Sequence, residues 1–216
     1  MKFLYLHGFA SGPDSKKGVA ISAHLATRGI SALRLNLRVP SFEHLRLSAM
    51  IDTTRAAIGS PDDRAVVMGS SLGGLTAARL AERDARVVAL VLLAPAFQLV
   101  SRWRARIGED EWRAWEERGW LEVDDYASGG RARVDFDFTN DVARIDSSPF
   151  PDVRVPTLII HGTRDDVVSI DRSRDFAQGR PNVRLVPVDD GHELTASLDR
   201  ITREIDAFFR DQGVGA

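Results

Sequence analysis

Short apolar runs rich in β-branched residues alternate along the chain with longer segments of helical period. Phe3 to Leu6, Ser31 to Leu37, Ala65 to Met68, Val87 to Leu93, Thr157 to Ile160 and Val183 to Val188 read as strands. The run from Val87 is apolar throughout, as expected of a strand covered on both faces. Between the strands, Asp14 to Arg28 reads as a helix with Val19, Ala23 and Ala26 on one face. Phe42 to Ile58 places Leu47, Met50, Ile51, Thr54 and Ile58 at helical spacing, and Leu72 to Arg83 and Asp171 to Gln178 are further helices. The last helix, near Glu193 to Arg210, carries Leu194, Leu198, Ile201, Ile205 and Phe208 on one stripe. Six strands alternating with helices predict a doubly wound α/β fold, its sheet mostly parallel and helices on both faces. One interval breaks the rhythm. Residues 97–155 are longer than an ordinary crossover and hold all four tryptophans, so they read as a cap insertion with its own helix near Glu109 to Arg118.

At 216 residues and 44% apolar content, the chain fits one domain, residues 1–216, with a single substantial core. Its 29 basic and 31 acidic residues nearly cancel, which argues against a broad surface for nucleic acid or anionic lipid. No apolar run approaches a membrane span, and the amino end lacks the core of a signal peptide. The expectation is a soluble, cytoplasmic protein with no membrane or nucleic-acid partner. Cysteine is absent, which removes disulfides, thiolate metal sites and a cysteine nucleophile. Lys2, Lys16 and Lys17 are the only lysines, so lysine-based nucleophilic catalysis has few candidates. Five histidines remain for acid–base work: His7, His24, His44, His161 and His192.

The sharpest local signal is Gly69-Ser70-Ser71-Leu72-Gly73, a G-x-S-x-G sequence between a strand and a helix. So sharp a turn needs small residues two positions either side of its centre, which selects Ser71 over Ser70. The turn lifts that side chain to the carboxyl edge of the sheet and places it at a helix amino terminus, where N–H groups favour developing negative charge. A serine hydroxyl needs a base to take its proton and an acid to hold that base. In the order Ser…Asp…His, the histidine follows the last strand, and His192 of Asp189-Asp190-Gly191-His192 stands there. The acid should end the preceding strand. Asp165 of His161-Gly162-Thr163-Arg164-Asp165-Asp166 is preferred, Asp166 is the alternative, and either could instead cap the following helix. After the strand ending at Leu93, Ala94-Pro95-Ala96-Phe97 offers no carboxylate.

His7-Gly8-Phe9-Ala10-Ser11-Gly12-Pro13 follows the first strand. A backbone N–H there, that of Phe9, would join the N–H of Leu72 in an oxyanion hole. The loop is neither a Walker loop nor a dinucleotide fingerprint, since it lacks the lysine-containing motif and the glycine spacing. Taken together and in this order, Leu6-His7-Gly8-Phe9, Gly69–Gly73, His161-Gly162-x-x-Asp165 and Gly191-His192 resemble the α/β-hydrolase superfamily. The stretch Tyr5 to Lys16 is also similar to small bacterial YqiA-like esterases. The resemblance spans essentially the whole chain. It implies a hydrolase fold lacking its first two strands, a Ser71–His192–Asp165 triad, esterase-type acyl transfer and no metal or organic cofactor.

In that fold the long insertion commonly forms a lid, so Trp103, Trp112 and Trp115 are candidates to line a substrate pocket; the preferred reading is that they anchor the insertion to the body. Arg102, Arg104, Arg106, Arg113 and Arg118 read as a solvated face. The expected activity is hydrolysis of a small carboxylic ester or thioester through an acyl-enzyme, with a small acyl substrate as partner. Peptidase or carbon–carbon bond hydrolase chemistry on the same fold is the alternative, and a non-catalytic ligand-binding module is a rival of another class.

Overall fold

The computed structural model describes residues 1–214. Its main sheet is fully parallel, with strands β1 (Lys2–Leu6), β2 (Ala32–Leu35), β3 (Ala65–Ser70), β4 (Val87–Leu93), β7 (Thr157–Gly162) and β8 (Val183–Val188) in the order β2-β1-β3-β4-β7-β8. Chain order reverses between β1 and β3. A crevice for a ligand is therefore expected beyond the carboxyl ends of those two strands.

Alternation along the strands divides the core in two. Leu4, Leu6, Val67, Leu90, Leu92 and Ile159 face one side with α2 (Leu47–Ile58) and α3 (Leu72–Ala81). Phe3, Tyr5, Val66, Met68, Val91 and Ile160 face the other, against α1 (Lys16–Ala26) and α8 (Leu198–Asp211). The expected face of α2 is buried as read, and α8 buries Ile201, Ile205, Phe208 and Phe209. The chain from Phe42 to Arg46 precedes α2 in turns and extended backbone rather than extending the helix, and residues 193–197 likewise lead into α8.

The reading of α1 is corrected. Val19, Ala23 and Ala26 face solvent, and the buried stripe is Lys17, Gly18, Ile21, Ser22 and Leu25. Gly18 is on that stripe because α1 lies against Tyr5: a Cβ there would be 2.7 Å from the ring.

The insertion between β4 and β7 holds more than one helix. It comprises α4 (Leu99–Ile107), α5 (Glu109–Arg118), an antiparallel hairpin of β5 (Trp120–Asp125) and β6 (Gly130–Asp135), and α6 (Asp137–Ile145). The hairpin strands alternate: Leu121, Val123 and Ala132 pack inward, while Glu122 pairs with Arg131 across the exposed face. Their high charge hides that period in the sequence. Phe97, Trp112, Trp115, Val134 and Phe138 join the same apolar cluster as Leu4 and Leu6, so the insertion packs on one face of the sheet. A short α7 (Asp171–Ala177) connects β7 to β8. Among the described residues no helix is long and apolar enough to cross a membrane.

Candidate active site

At the carboxyl end of β3 the backbone turns through Ser71 with φ 53° and ψ −116°, a conformation that L-residues adopt only under constraint. Two close approaches impose it. A Cβ on Gly69 would fall 2.3 Å from the Gly73 carbonyl oxygen, and one on Gly73 would fall 2.3 Å from that of Leu6. The glycines thus let α3 start immediately after the strand and directly against the end of β1. The Ser71 backbone is held by bonds from its N–H to the Leu93 carbonyl and from the Ala96 N–H to its own carbonyl.

His192 follows β8, in a turn packed against the end of β7; a Cβ on Gly162 would meet the Asp190 carbonyl at 2.4 Å. Its Nε2 lies 3.1 Å from Ser71 Oγ, and its Nδ1 lies 2.8 Å from Asp165 Oδ2. This fits an imidazole that donates from Nδ1 to the carboxylate and accepts the serine proton at Nε2. The His192 side chain is 12% exposed and that of Asp165 is fully buried. Asp166, the alternative acid, is exposed, and among the described residues only its backbone carbonyl is engaged, by Arg106. The structure therefore brings Ser71, His192 and Asp165 into one hydrogen-bonded chain and leaves Asp166 outside it.

Asp165 is held more tightly than spacing alone conveys. Its Oδ1 accepts the N–H groups of Val167 and Val168 at 2.9 and 2.7 Å, and its Oδ2 also faces His161 Nε2 at 3.1 Å. Burial opposes the charge, but the bonds from both imidazoles and from the Val168 amide outweigh it and hold the carboxyl well below the usual carboxylate range. His161 is completely buried; its Nδ1 meets Ser173 Oγ at 2.7 Å, and Nε2 also reaches the Val168 carbonyl at 2.8 Å. In the sequence, His161 stands out only as the first residue of the motif that carries Asp165, and the one signal of a contact is its i, i+4 spacing to that residue.

The loop after β1 lies over Ser71, where a Cβ on Gly8 would be 3.3 Å from that of Ser71. His7 is buried, accepts the Leu37 N–H at Nε2 (3.0 Å) and donates from Nδ1 to the Gly8 carbonyl (2.8 Å). Burial lowers its pKa and so favours this neutral form. Because a trans peptide directs its C=O and N–H oppositely, turning the Gly8 carbonyl toward His7 turns the Phe9 N–H away from it. Among the described residues, neither the Phe9 nor the Leu72 N–H donates to a protein acceptor. Two free amides flank the turn, one on the loop and one opening α3.

A narrow crevice adjoins them, lined by Phe9, Leu37, Arg38, Phe42, Leu45, Met50 and Leu72. The tryptophans, read as either packing or pocket residues, do not line it. Trp112 and Trp115 are buried in the insertion, stacked edge-on against Phe136, and Trp115 donates to the Val134 carbonyl at 3.2 Å. Trp103 does not line the crevice; it braces Phe9 with an edge-on contact at 4.8 Å. Phe42, Leu45 and Met50, which do line it, lie in or just before α2 and read in the sequence as ordinary core. The solvated arginine face also needs correction. Arg104, Arg113 and Arg118 pair with Glu109, Asp110 and Glu111, but Arg102 is partly buried, donates to the Phe97 and Val167 carbonyls, and burial lowers its pKa to about 10. His24 and His44 lie away from Ser71, paired with Asp206 and Asp135; His44 is in the turn before α2, not on a helix.

The family described as Uncharacterised protein family (UPF0227) matches residues 2–210. The chain belongs to UPF0227. No curated protein matches it in sequence. Among solved structures, this UPF0227 chain is similar to mouse alpha/beta hydrolase domain-containing protein 10, with a TM-score of 0.81, 21% identity and coverage of 98% of this chain and 90% of that one. It is also similar to Est1E from Butyrivibrio proteoclasticus (TM-score 0.76, 22% identity, coverage 97% and 87%). The Pyrococcus furiosus esterase Pf2001 matches with a TM-score of 0.67 at 17% identity, covering 97% and 82%. At these identities the likeness establishes the fold: UPF0227 has here the α/β-hydrolase architecture that the motif order implied.

Proposed function

We propose that the protein is a serine hydrolase that cleaves small carboxylic esters or thioesters through an acyl-enzyme. The observation that carries this reading is the Asp165–His192–Ser71 chain at 2.8 and 3.1 Å, set beside the two unpaired amides of Phe9 and Leu72. Ser71 Oγ attacks the acyl carbonyl carbon while His192 Nε2 takes its proton. Asp165 keeps the imidazole in the required tautomer and stabilises its charged form. The Phe9 and Leu72 N–H groups bind the oxygen on which negative charge develops, each worth about 3–4 kcal/mol in such sites. Collapse of the tetrahedral intermediate expels the alcohol or thiol with a proton from His192. Water then attacks the acyl-serine with the same histidine as base, and the acid leaves.

The crevice beside the amides supports a short apolar acyl group, since Leu37, Phe42, Leu45 and Met50 line it. A series of p-nitrophenyl esters from acetate to octanoate, with a matching short acyl thioester, tests the proposal. The expected result is turnover with kcat/KM highest for short chains. Absence of turnover on every ester and thioester would refute it.

A further inference from the structure

Lys17 is an unusual lysine. Its side chain is 8% exposed, on the buried stripe of α1, whereas lysines are almost never buried unless paired. The partners found are unequal to that burial. Glu193 Oε2 is 3.8 Å away, but its side chain is 75% exposed and a pair so open to water holds weakly. The nearest acceptor is the backbone carbonyl of His192, at 3.4 Å. Two buried carboxylates add attraction, Asp165 and Asp190, and among the described residues Asp190 Oδ2 has no hydrogen-bond partner. The Tyr5 hydroxyl of β1 is buried beneath α1, and burial pushes its pKa up, so it brings no negative charge. Burial lowers the pKa of Lys17 itself, and Glu193, Asp165 and Asp190 oppose that shift.

We infer that Lys17 is a positioning residue: its ammonium, reaching from α1, anchors the turn Asp190–Glu193 and so fixes the imidazole of His192 between Asp165 and Ser71. The other side of the turn is held by the end of β7, through the Arg164 N–H on the Asp190 carbonyl and the close passage of Gly162. Leu194, immediately beyond, has φ 55°, so the turn leaves the site through a constrained residue. Lys17 touches no reacting atom. It acts on the backbone that carries the base, where a displacement of about 1 Å can cost about a hundredfold in rate.

The catalytic part of this inference rests on the esterase reading; the structural part does not. Lys17→Met removes the charge while keeping the apolar stem. A second pair of proteins covers a failure to fold. Because the chain has no cysteine, Lys17→Cys carries a single thiol, which 2-bromoethylamine alkylates in denaturant, with loss of bromide, to restore an ammonium at about lysine length. Three measurements are made on each protein: kcat and KM on p-nitrophenyl acetate, the thermal midpoint, and the downfield proton resonance of the His192 Nδ1–H, assigned by its absence in His192→Gln. The expected result for Lys17→Met is a fall in kcat of about tenfold or more with KM within about threefold, and loss or broadening of the resonance. Aminoethylated Lys17→Cys should regain both, and the unalkylated form neither. An unchanged resonance and kcat in a folded Lys17→Met, with only the thermal midpoint lowered, would overturn the inference. So would failure of aminoethylation to restore the resonance in folded protein. If the natural protein turns over no ester, the esterase reading fails on its own, and the resonance still decides the role of Lys17.

Discussion

His161 Nε2 and His192 Nδ1 converge on one oxygen of Asp165, at 3.1 and 2.8 Å. The acid of the candidate triad is thus shared between an imidazole that faces Ser71 and one sealed in the core. The buried ring occupies one direction of approach to Oδ2 and, through Ser173 and Val168, ties β7 to α7. Replacing it with an apolar residue leaves the Ser173 hydroxyl and the Val168 carbonyl without their buried partner. His161→Leu should therefore lower stability by about 1–3 kcal/mol in urea unfolding and reduce kcat more than it raises KM. A variant equal to the natural protein in both would show that His161 only fills space.

The acid dependence of stability follows from the depressed pKa of Asp165. An unfolded aspartate titrates near ~3.9, and the folded carboxyl lies below that value. The group binds more protons when unfolded, so its contribution is fully present above about pH 4 and is lost as the pH falls toward the folded pKa. Asp165→Asn should be less stable than the natural protein at pH 7, and the gap should narrow in unfolding experiments at pH 3. A gap of constant size would show that the carboxylate's charge is not what stabilises this turn.

Gly73→Ala tests the packing that forces the elbow. The added methyl would stand 2.3 Å from the Leu6 carbonyl oxygen and 2.6 Å from that of His7, both backbone atoms. A loss of about 2–3 kcal/mol or more is expected, together with loss of reactivity at Ser71, since the same contact sets the start of α3. Reduced denaturation midpoints with full activity in the remaining folded protein would separate the two effects.

Arg38 and Asp125 form a two-bond ion pair at 2.7 and 2.8 Å that ties the hairpin to the loop after β2, and the Asp125 pKa is lowered to about 2, chiefly by the Arg38 bonds. Near it the Ala127 N–H bonds the Ala10 carbonyl, so the hairpin turn touches the loop that carries Phe9. Arg38→Gln should lower stability by about 1.5–3 kcal/mol and speed amide hydrogen exchange in residues 120–135. Unaltered exchange there would show that the apolar contacts of the insertion suffice to hold the hairpin.

What was legible in the sequence follows the strength of local signals. β4 is apolar throughout, and Leu47 to Ile58 keep a clean helical period, so both were readable without tertiary context. Gly69 and Gly73 were readable because backbone contact admits no other residue. The hairpin was not, since Glu122 and Asp124 pair with Arg131 on its outer face, Arg133 pairs with Glu43, and these charges mask Leu121 and Val123 within. The face of α1 was misread because alanine and valine tolerate exposure, while the buried stripe includes a lysine and a glycine whose partners are remote in sequence. Trp112 and Trp115 fit the packing reading, since an insertion with so charged a surface needs large aromatics to fill its interior. His161 and Lys17 share the remaining reason: each acts through a contact that only the assembled sheet edge creates.

The proposed role of Ser71 as the nucleophile of an esterase is tested by intact-mass measurement after exposure to a fluorophosphonate, paired with turnover of p-nitrophenyl acetate, for the natural protein and Ser71→Ala. The expected result is one adduct on the natural protein, none on the variant, and a loss of at least about a thousandfold in kcat with the thermal midpoint maintained. An adduct of equal yield on Ser71→Ala, or esterase turnover that persists in it, would show that Ser71 is not the nucleophile.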